Sequence, residues 1–412
     1  MPISSLSATS YLAGLLKPAP AFQASIVSSD RNLSLNDEMR LITSNGTTNL
    51  SLTIPTDASA NWTSASRLLF QSENTGQIQV FAASGVTIVG PTGTNTSVSL
   101  NPLSIMQIRR TGTNTWQSYG GVAGHIGRGL FAMGSTALST IDMISIASEA
   151  NATNYGSLSA GRSFGGGCGS NTRALFFGGT SNSVASGALN SIESALIASL
   201  GTVSSFGTIT AGWGFTMGCG SNSTRSITTI GTNTDGTLAA TLGTHLIASG
   251  GSTSTYGSLS LGNGSNTSGT ANPTTVLIGP DANSNNRIAV CNIASSGTGT
   301  NVGQLSIYRY AYGACSNSTR ALFGGGHTSS TSIDFMNYAS QGNATSFGAL
   351  TSGRSYLAAT SSSIRGVFGG GSASGQVLDY VNIATQSSAL SFGSLVVARS
   401  GAAASSDVHG GV

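Results

Sequence analysis

Short apolar runs, bounded by Gly, Ser, Thr and Asn, fill almost the whole chain. Runs of this kind suit strands better than helices. Within residues 30–120 they fall at Met39–Thr43, Asn49–Ile54, Arg67–Gln71, Gln77–Ala82, Val86–Val89, Ser97–Leu100 and Ser104–Arg109. Turn signals such as Asn74-Thr75-Gly76 and Thr111-Gly112-Thr113-Asn114 separate them. This predicts a small β-sandwich. Residues 1–29 read as a leader, with Pro2, Pro18 and Pro20 and one short helical stretch near 10–16.

From residue 121 onward the pattern repeats. An aromatic residue or Val, then Gly, any residue and Leu or Ile, occurs at Tyr155–Leu158, Phe206–Ile209, Tyr256–Leu259, Val302–Leu305, Phe347–Leu350 and Phe392–Leu395. The copies lie 45 to 51 residues apart, the length of a propeller blade. Each repeat divides into four strands. In one, Arg320–Gly326 is the second, Ser332–Ala339 the third and Ala344–Leu350 the fourth. Second strands recur at Arg128–Phe131, Arg173–Phe176 and Arg365–Phe368, and more loosely near Arg225 and Thr275. First strands are built of small residues, as in Gly161–Gly167. Ala398–Ser405 is left over as a first strand without its own blade, while residue 128 opens a blade at its second strand. Pairing the two would close the ring and remove open sheet edges. The predicted fold class is all-β: an N-terminal small β-sandwich at 30–120, then a six-bladed β-propeller at 121–412.

Composition narrows the function. Only 7% of residues are charged, against about 25% in an ordinary soluble chain. Disorder is excluded because 39% of residues are apolar and arranged in periodic runs. A net charge of +3 without a basic cluster gives nucleic acid no electrostatic footprint. No apolar run approaches the roughly 20 residues of a membrane helix, so no membrane insertion is expected. Cys168, Cys219 and Cys315 occupy equivalent repeat contexts, and positions in separate blades seldom reach bridging distance. With Cys291 they are expected to be free buried thiols. No CxxC pair offers a zinc site.

The order Gly-Arg-Ser (Gly161–Ser163, Gly353–Ser355), then Arg-x-Leu-Phe (Arg173–Phe176, Arg320–Phe323), an apolar strand and Phe-Gly-x-Leu resembles kelch-type repeats. It is most similar to the Gly- and Ser-rich kelch-like repeats of bacteriophage tail-fibre proteins. Blades three and four depart from it, with Thr275 in place of Arg and Val302 in place of the aromatic. The stretches Asn49–Pro55, Gln77–Ile88 and Thr111–Trp116 resemble a small β-domain of phage fibres. The resemblance implies a six-bladed kelch-like β-propeller in a virion protein, a tail fibre or tail-associated adhesin. It implies residues 1–29 as an attachment segment docking on other virion proteins, a homotrimer, and a host cell-surface glycan as ligand. The alternatives are a capsid decoration or head-fibre protein and a polysaccharide depolymerase.

Candidate chemistry is sparse. Second-strand arginines recur with third-strand acids: Arg128 with Asp142, Arg320 with Asp334 and Arg365 with Asp379 at a spacing of 14, and Arg173 with Glu193 at 20. Adjacent strands suggest structural cross-strand ion pairs; a ring of binding arginines is the functional alternative. Tyr308, Tyr310 and Tyr312 alternate, which places them on one face of a strand. Trp213 lies in the equivalent strand of another blade. Such rings fill cores or stack on sugars, and Tyr310 with Trp213 are the candidates for a glycan site. The four His are scattered, and no nucleophile elbow or phosphate loop with its lysine is present. The expectation is therefore no metal, no cofactor and no catalytic activity, because repetition builds surfaces more readily than one special pocket.

Overall fold

The computed structural model describes residues 24–411 except 39, 45–49, 65, 73–77, 91–92, 96, 101–104, 121–126, 147–148, 182–186, 188, 198–200, 202, 210–216, 231–240, 261–266, 280–285 and 373–374. It divides into two compact units, Met1–Ile126 and Gly127–Val412. Most of the expected attachment segment lies outside the described residues.

The larger unit is a six-bladed β-propeller of four-stranded antiparallel sheets. The innermost strands are Ala403–Ser406 in blade I, then Gly166–Gly169, Cys219–Ser221, Gly269–Ala271, Gly313–Ser316 and Ala358–Ser361 in blades II to VI. The second strands start at Arg128, Arg173, Arg225, Thr275, Arg320 and Arg365, where the sequence pattern put them. Blade I takes its innermost strand from the C-terminal end of the chain: Gly129 faces Ser406 and Ala132 faces Ala403. The ring closes as predicted, and cooperative sheet pairing replaces two open edges.

Packing explains the aromatic-Gly-x-Leu signature. The aromatic and aliphatic residues sink into clusters shared by neighbouring blades, as Tyr155 and Leu158 do with Phe176 and Ile197. Burying such side chains stabilises by about 1.5–3 kcal/mol each. The intervening Gly has a different cause. A Cβ on Gly156 would overlap the carbonyl of Gly201 in the next blade, and one on Gly393 would reach Ala150 across the closure. Backbone hydrogen bonds run beside these contacts, from Gly201 N to Tyr155 O at 3.0 Å and from Ala152 N to Ser394 O at 2.8 Å. The repeat glycine is thus the point where one blade's backbone lies on the next.

The N-terminal unit departs from expectation. Its seven-stranded and four-stranded sheets share one core in which Trp62 meets Trp116 edge-on at 5.2 Å. The antiparallel hairpins implied by the turn signals do not dominate, so the small β-sandwich is not confirmed in that form. Instead the chain alternates between sheets. Ala24–Ile26, Leu41–Ser44 and Arg67–Ser72 pair in parallel in one. Arg31–Asn32, Leu50–Ile54 and Ile78–Ala82 do so in the other. Alternating burial along Leu50–Ile54 serves parallel winding as well as a hairpin, so periodicity did not decide between them.

Candidate functional site

Four buried arginines precede the innermost strands, Arg309, Arg354 and Arg399 on the linkers and Arg162 at the end of the strand Thr153–Arg162, each at most 1% exposed. Each pairs with an acid on the third strand of its blade. Arg309 Nη2 meets Asp334 at 2.5 Å, Arg354 Nη2 meets Asp379 at 2.7 Å, Arg399 Nη2 meets Asp142 at 2.6 Å, and Arg162 Nη2 meets Glu193. The acid also takes hydrogen bonds from the start of the linker. Asp379 accepts from Thr351 Oγ1 at 2.6 Å and Asp334 from Ser306 N at 2.9 Å. The arginine's Nη1 donates to strand carbonyls, such as Ser332 O at 2.5 Å from Arg309 and Val377 O at 3.1 Å from Arg354. Burial pulls the Arg162 guanidinium down to about 10. It lowers Arg354 too, against the opposing pull of Asp379. Multidentate pairing is what makes a charge tolerable at this depth.

A β-bulge aims each acid. The ladder between third and fourth strands slips at Ile141/Asp142, Ile192/Glu193, Ile333/Asp334 and Leu378/Asp379. Bulges re-aim side chains, and here the carboxylate turns toward the linker. Blades III and IV keep the bulge at Leu242/Gly243 and Ile288/Ala289 but carry no acid there. The sequence between Ile209 and Met217 and between Leu259 and Thr267, ahead of those two blades, contains no arginine. Both partners are missing together, as expected where a lone buried charge costs several kcal/mol.

The predicted pairings are therefore corrected. Arg128 does not pair with Asp142, Arg173 with Glu193, Arg320 with Asp334, or Arg365 with Asp379. In the ladder Phe323 faces Asp334 and Arg320 faces Asn337. Three residues separate Arg320 from that rung, an odd number that puts its side chain on the opposite sheet face. The second-strand arginines reach across to the following blade instead. Arg128 Nη1 donates to Ile197 O at 2.7 Å, Arg173 to Ile247 O at 2.9 Å, Arg320 to Ile383 O at 3.1 Å and Arg365 to Ile146 O at 3.4 Å. Arg225, only loosely legible as a member of the series, donates to Ile293 O at 3.2 Å. Three of them also lie over aromatic rings: Arg173 on Phe206, Arg320 on Phe335 and Arg365 on Tyr380.

Two residues after each linker arginine the backbone turns left-handed, with φ of 59° at Phe164, 55° at Ala311, 57° at Tyr356 and 71° at Gly401. These four residues form an arc across blades V, VI, I and II. Tyr356 N donates to Ala311 O at 2.6 Å, Gly401 N to Tyr356 O at 2.8 Å and Phe164 N to Gly401 O at 2.8 Å. Non-glycine residues in this conformation store roughly 1–3 kcal/mol each, and the arginine–acid pairs hold them there. The arc rims an open axial recess with a cavity volume of about 90 Å³. Phe164 and Tyr356 meet edge-on at 5.4 Å, and Met217, Thr267, Tyr312 and Leu357 stand around the neck. Glycines and alanines of the innermost strands complete the wall, and among the described residues no charged side chain lines it.

Of the predicted sugar-binding residues, Trp213 lies outside the described residues. Tyr310 is half-buried and stacks on His327 at 4.3 Å, 16° from parallel. Tyr308, Tyr310 and Tyr312 do not share a strand face, because this stretch is linker: Tyr308 is exposed and Tyr312 is buried against Phe323. Phe164 and Tyr356 went unnoticed in the sequence. The signal was their position directly after Gly-Arg-Ser.

No family model and no curated protein matches the chain. Among solved structures, that of YjhT is similar, with a TM-score of 0.50 and 11% identity over 61% of this chain and 91% of that one. This supports a kelch-like β-propeller. The expectation of a chain without catalytic activity is corrected: YjhT, whose structure is similar, is itself an enzyme-like propeller, so this fold gives no ground for excluding catalysis. The flaw lay in the premise about repetition. Six repeats closed into a ring do converge on one special pocket, the axial recess. At this identity the likeness carries the fold alone.

Proposed function

We propose that this chain is a surface-recognition protein of the tail-fibre or tail-associated adhesin kind, which presents its propeller to a host-surface glycan. The observation that carries this reading is the axial recess: uncharged, rimmed by Phe164 and Tyr356, and braced by four buried arginine–carboxylate pairs. Pre-organised concave recesses suit small ligands, and rigidity reduces the entropy lost on binding. The virion setting rests on the sequence resemblance. In that setting the N-terminal region contacts other virion proteins and the fibre is a homotrimer.

Three experiments test the proposal. Purified chain is applied to an array of bacterial surface polysaccharides, where retention of a defined subset is expected and retention of none refutes glycan recognition. Released reducing ends are measured on the retained polysaccharide, which would place the protein in the depolymerase class. Immunogold labelling of particles with antibody to residues 128–412 is expected on tails or fibres. Label over the head refutes the adhesin reading in favour of a decoration protein.

A further inference from the structure

We infer that the axial recess is a subsite for one uncharged pyranose ring, with Tyr356 and Phe164 as its stacking surface; this rests on the glycan-recognition reading above. Three independent features define the ligand's chemistry.

The first is charge. Among the described residues neither acid nor base lines the recess, and the nearest guanidinium and carboxylate pairs are buried behind the linkers and bonded to one another. An acidic sugar entering here would lose water without gaining a counter-charge, a cost of several kcal/mol. A neutral sugar carries no such penalty.

The second is the wall. Every innermost strand stands at the end of its sheet, so it is paired along one edge while the other turns to the axis. Edge strands present backbone N–H and C=O groups. The residues that line the recess from these strands and their approaches, Gly165–Gly167, Gly269, Ala358–Ala359 and Ala402–Ala404, are Gly and Ala, so backbone and methyl groups rather than long side chains form its wall. Alternating donors and acceptors without formal charge suit the hydroxyl groups of a sugar, each of which is both donor and acceptor.

The third is the aromatic rim and its support. Phe164 lies on Gly401, where an added Cβ would come 2.6 Å from its ring. The glycine in blade I therefore makes room for a ring supplied by blade II. Tyr356 is held half-exposed at a left-handed φ of 57° by hydrogen bonds to its neighbours in the arc. Aromatic rings with an apolar face and, for Tyr, a polar tip are suited to a ligand that is apolar on its ring face and polar at its edge.

The test is saturation-transfer NMR on the full chain with methyl α- and β-glycosides of glucose, galactose and mannose, alongside glucuronic acid and N-acetylneuraminic acid. Saturation of at least one neutral pyranoside, with weaker or no saturation of the acids, is expected. Tyr356→Ala should lower that affinity about tenfold or more, and Gly401→Ala should do the same by displacing Phe164. Tyr356→Phe, which keeps the ring, should retain it, and near-ultraviolet circular dichroism establishes that each variant is folded. Preference for the acids, no saturation of any neutral pyranoside, or undiminished binding by folded Tyr356→Ala overturns the assignment. Polysaccharide retained equally by wild type and Tyr356→Ala would sink this subsite and leave the recognition reading standing. No retention by the wild type would sink that reading itself.

Discussion

Replacing Asp379 by Asn isolates the value of one arginine–carboxylate pair. The Asp379 side chain is fully buried, as is that of Arg354, and their atoms lie 2.7 Å apart. Asn keeps the shape and one acceptor, enough for the Thr351 hydroxyl that now bonds at 2.6 Å, but it removes the charge. Arg354 then remains buried with strand carbonyls as its main partners. Breaking one side of such a pair costs about 3–5 kcal/mol, which lowers the propeller's melting temperature on the order of 10 °C. The decisive comparison is the double variant Arg354→Met with Asp379→Asn, which leaves no buried charge. It should recover at least about 2 kcal/mol relative to the single substitution, since contacting residues couple. Blades III and IV, with Gly243 and Ala289 at the acid position, already dispense with the acid. Calorimetric and denaturant unfolding of Asp379→Asn, Arg354→Met and the double variant gives the cycle. A single-variant loss under about 1 kcal/mol, or a double variant that costs the sum of its parts, would refute the argument.

Three further outcomes are expected. His245, held between Ser226 Oγ at 3.3 Å and Thr253 Oγ1 at 2.7 Å, is lowered by burial to about 4. The unfolded chain therefore binds its proton first, and stability should fall by about 3 kcal/mol as pH drops from 6.5 to 4. Urea titrations should show that loss reduced in His245→Gln, and an unchanged acid limb would contradict the assignment. Burial raises Cys291 to about 12 and pushes Cys219 and Cys315 up as well. At pH 8 a disulfide reagent should thus label the native thiols at least about a hundredfold more slowly than the unfolded ones; rapid native labelling of these residues would show that they are accessible. Gly393→Ala should destabilise the ring by about 2 kcal/mol or more, because its Cβ would meet Ala150 O at 2.5 Å with φ at 150°, and a melting temperature matching wild type would remove that contact from the closure.

The sequence by itself determined the propeller: six blades, their strand order and the closure through Ala403–Ser406 were all legible in it. Blades are local. Each strand pairs with its neighbour in sequence, so periodic apolar residues and a repeating Gly carry most of the information. The closure is the one long-range pairing, and counting strands exposed it. Only the tertiary structure decided the rest. A bulge beside Asp379 sends its carboxylate to Arg354, 25 residues away, rather than to Arg365 on the neighbouring strand. Spacing records chain distance, and it carries no sign of a slip in the ladder. The recess was likewise hidden, because Phe164, Ala311, Tyr356 and Gly401 come from four separate repeats. They become a site only when the ring brings four linkers to one axis.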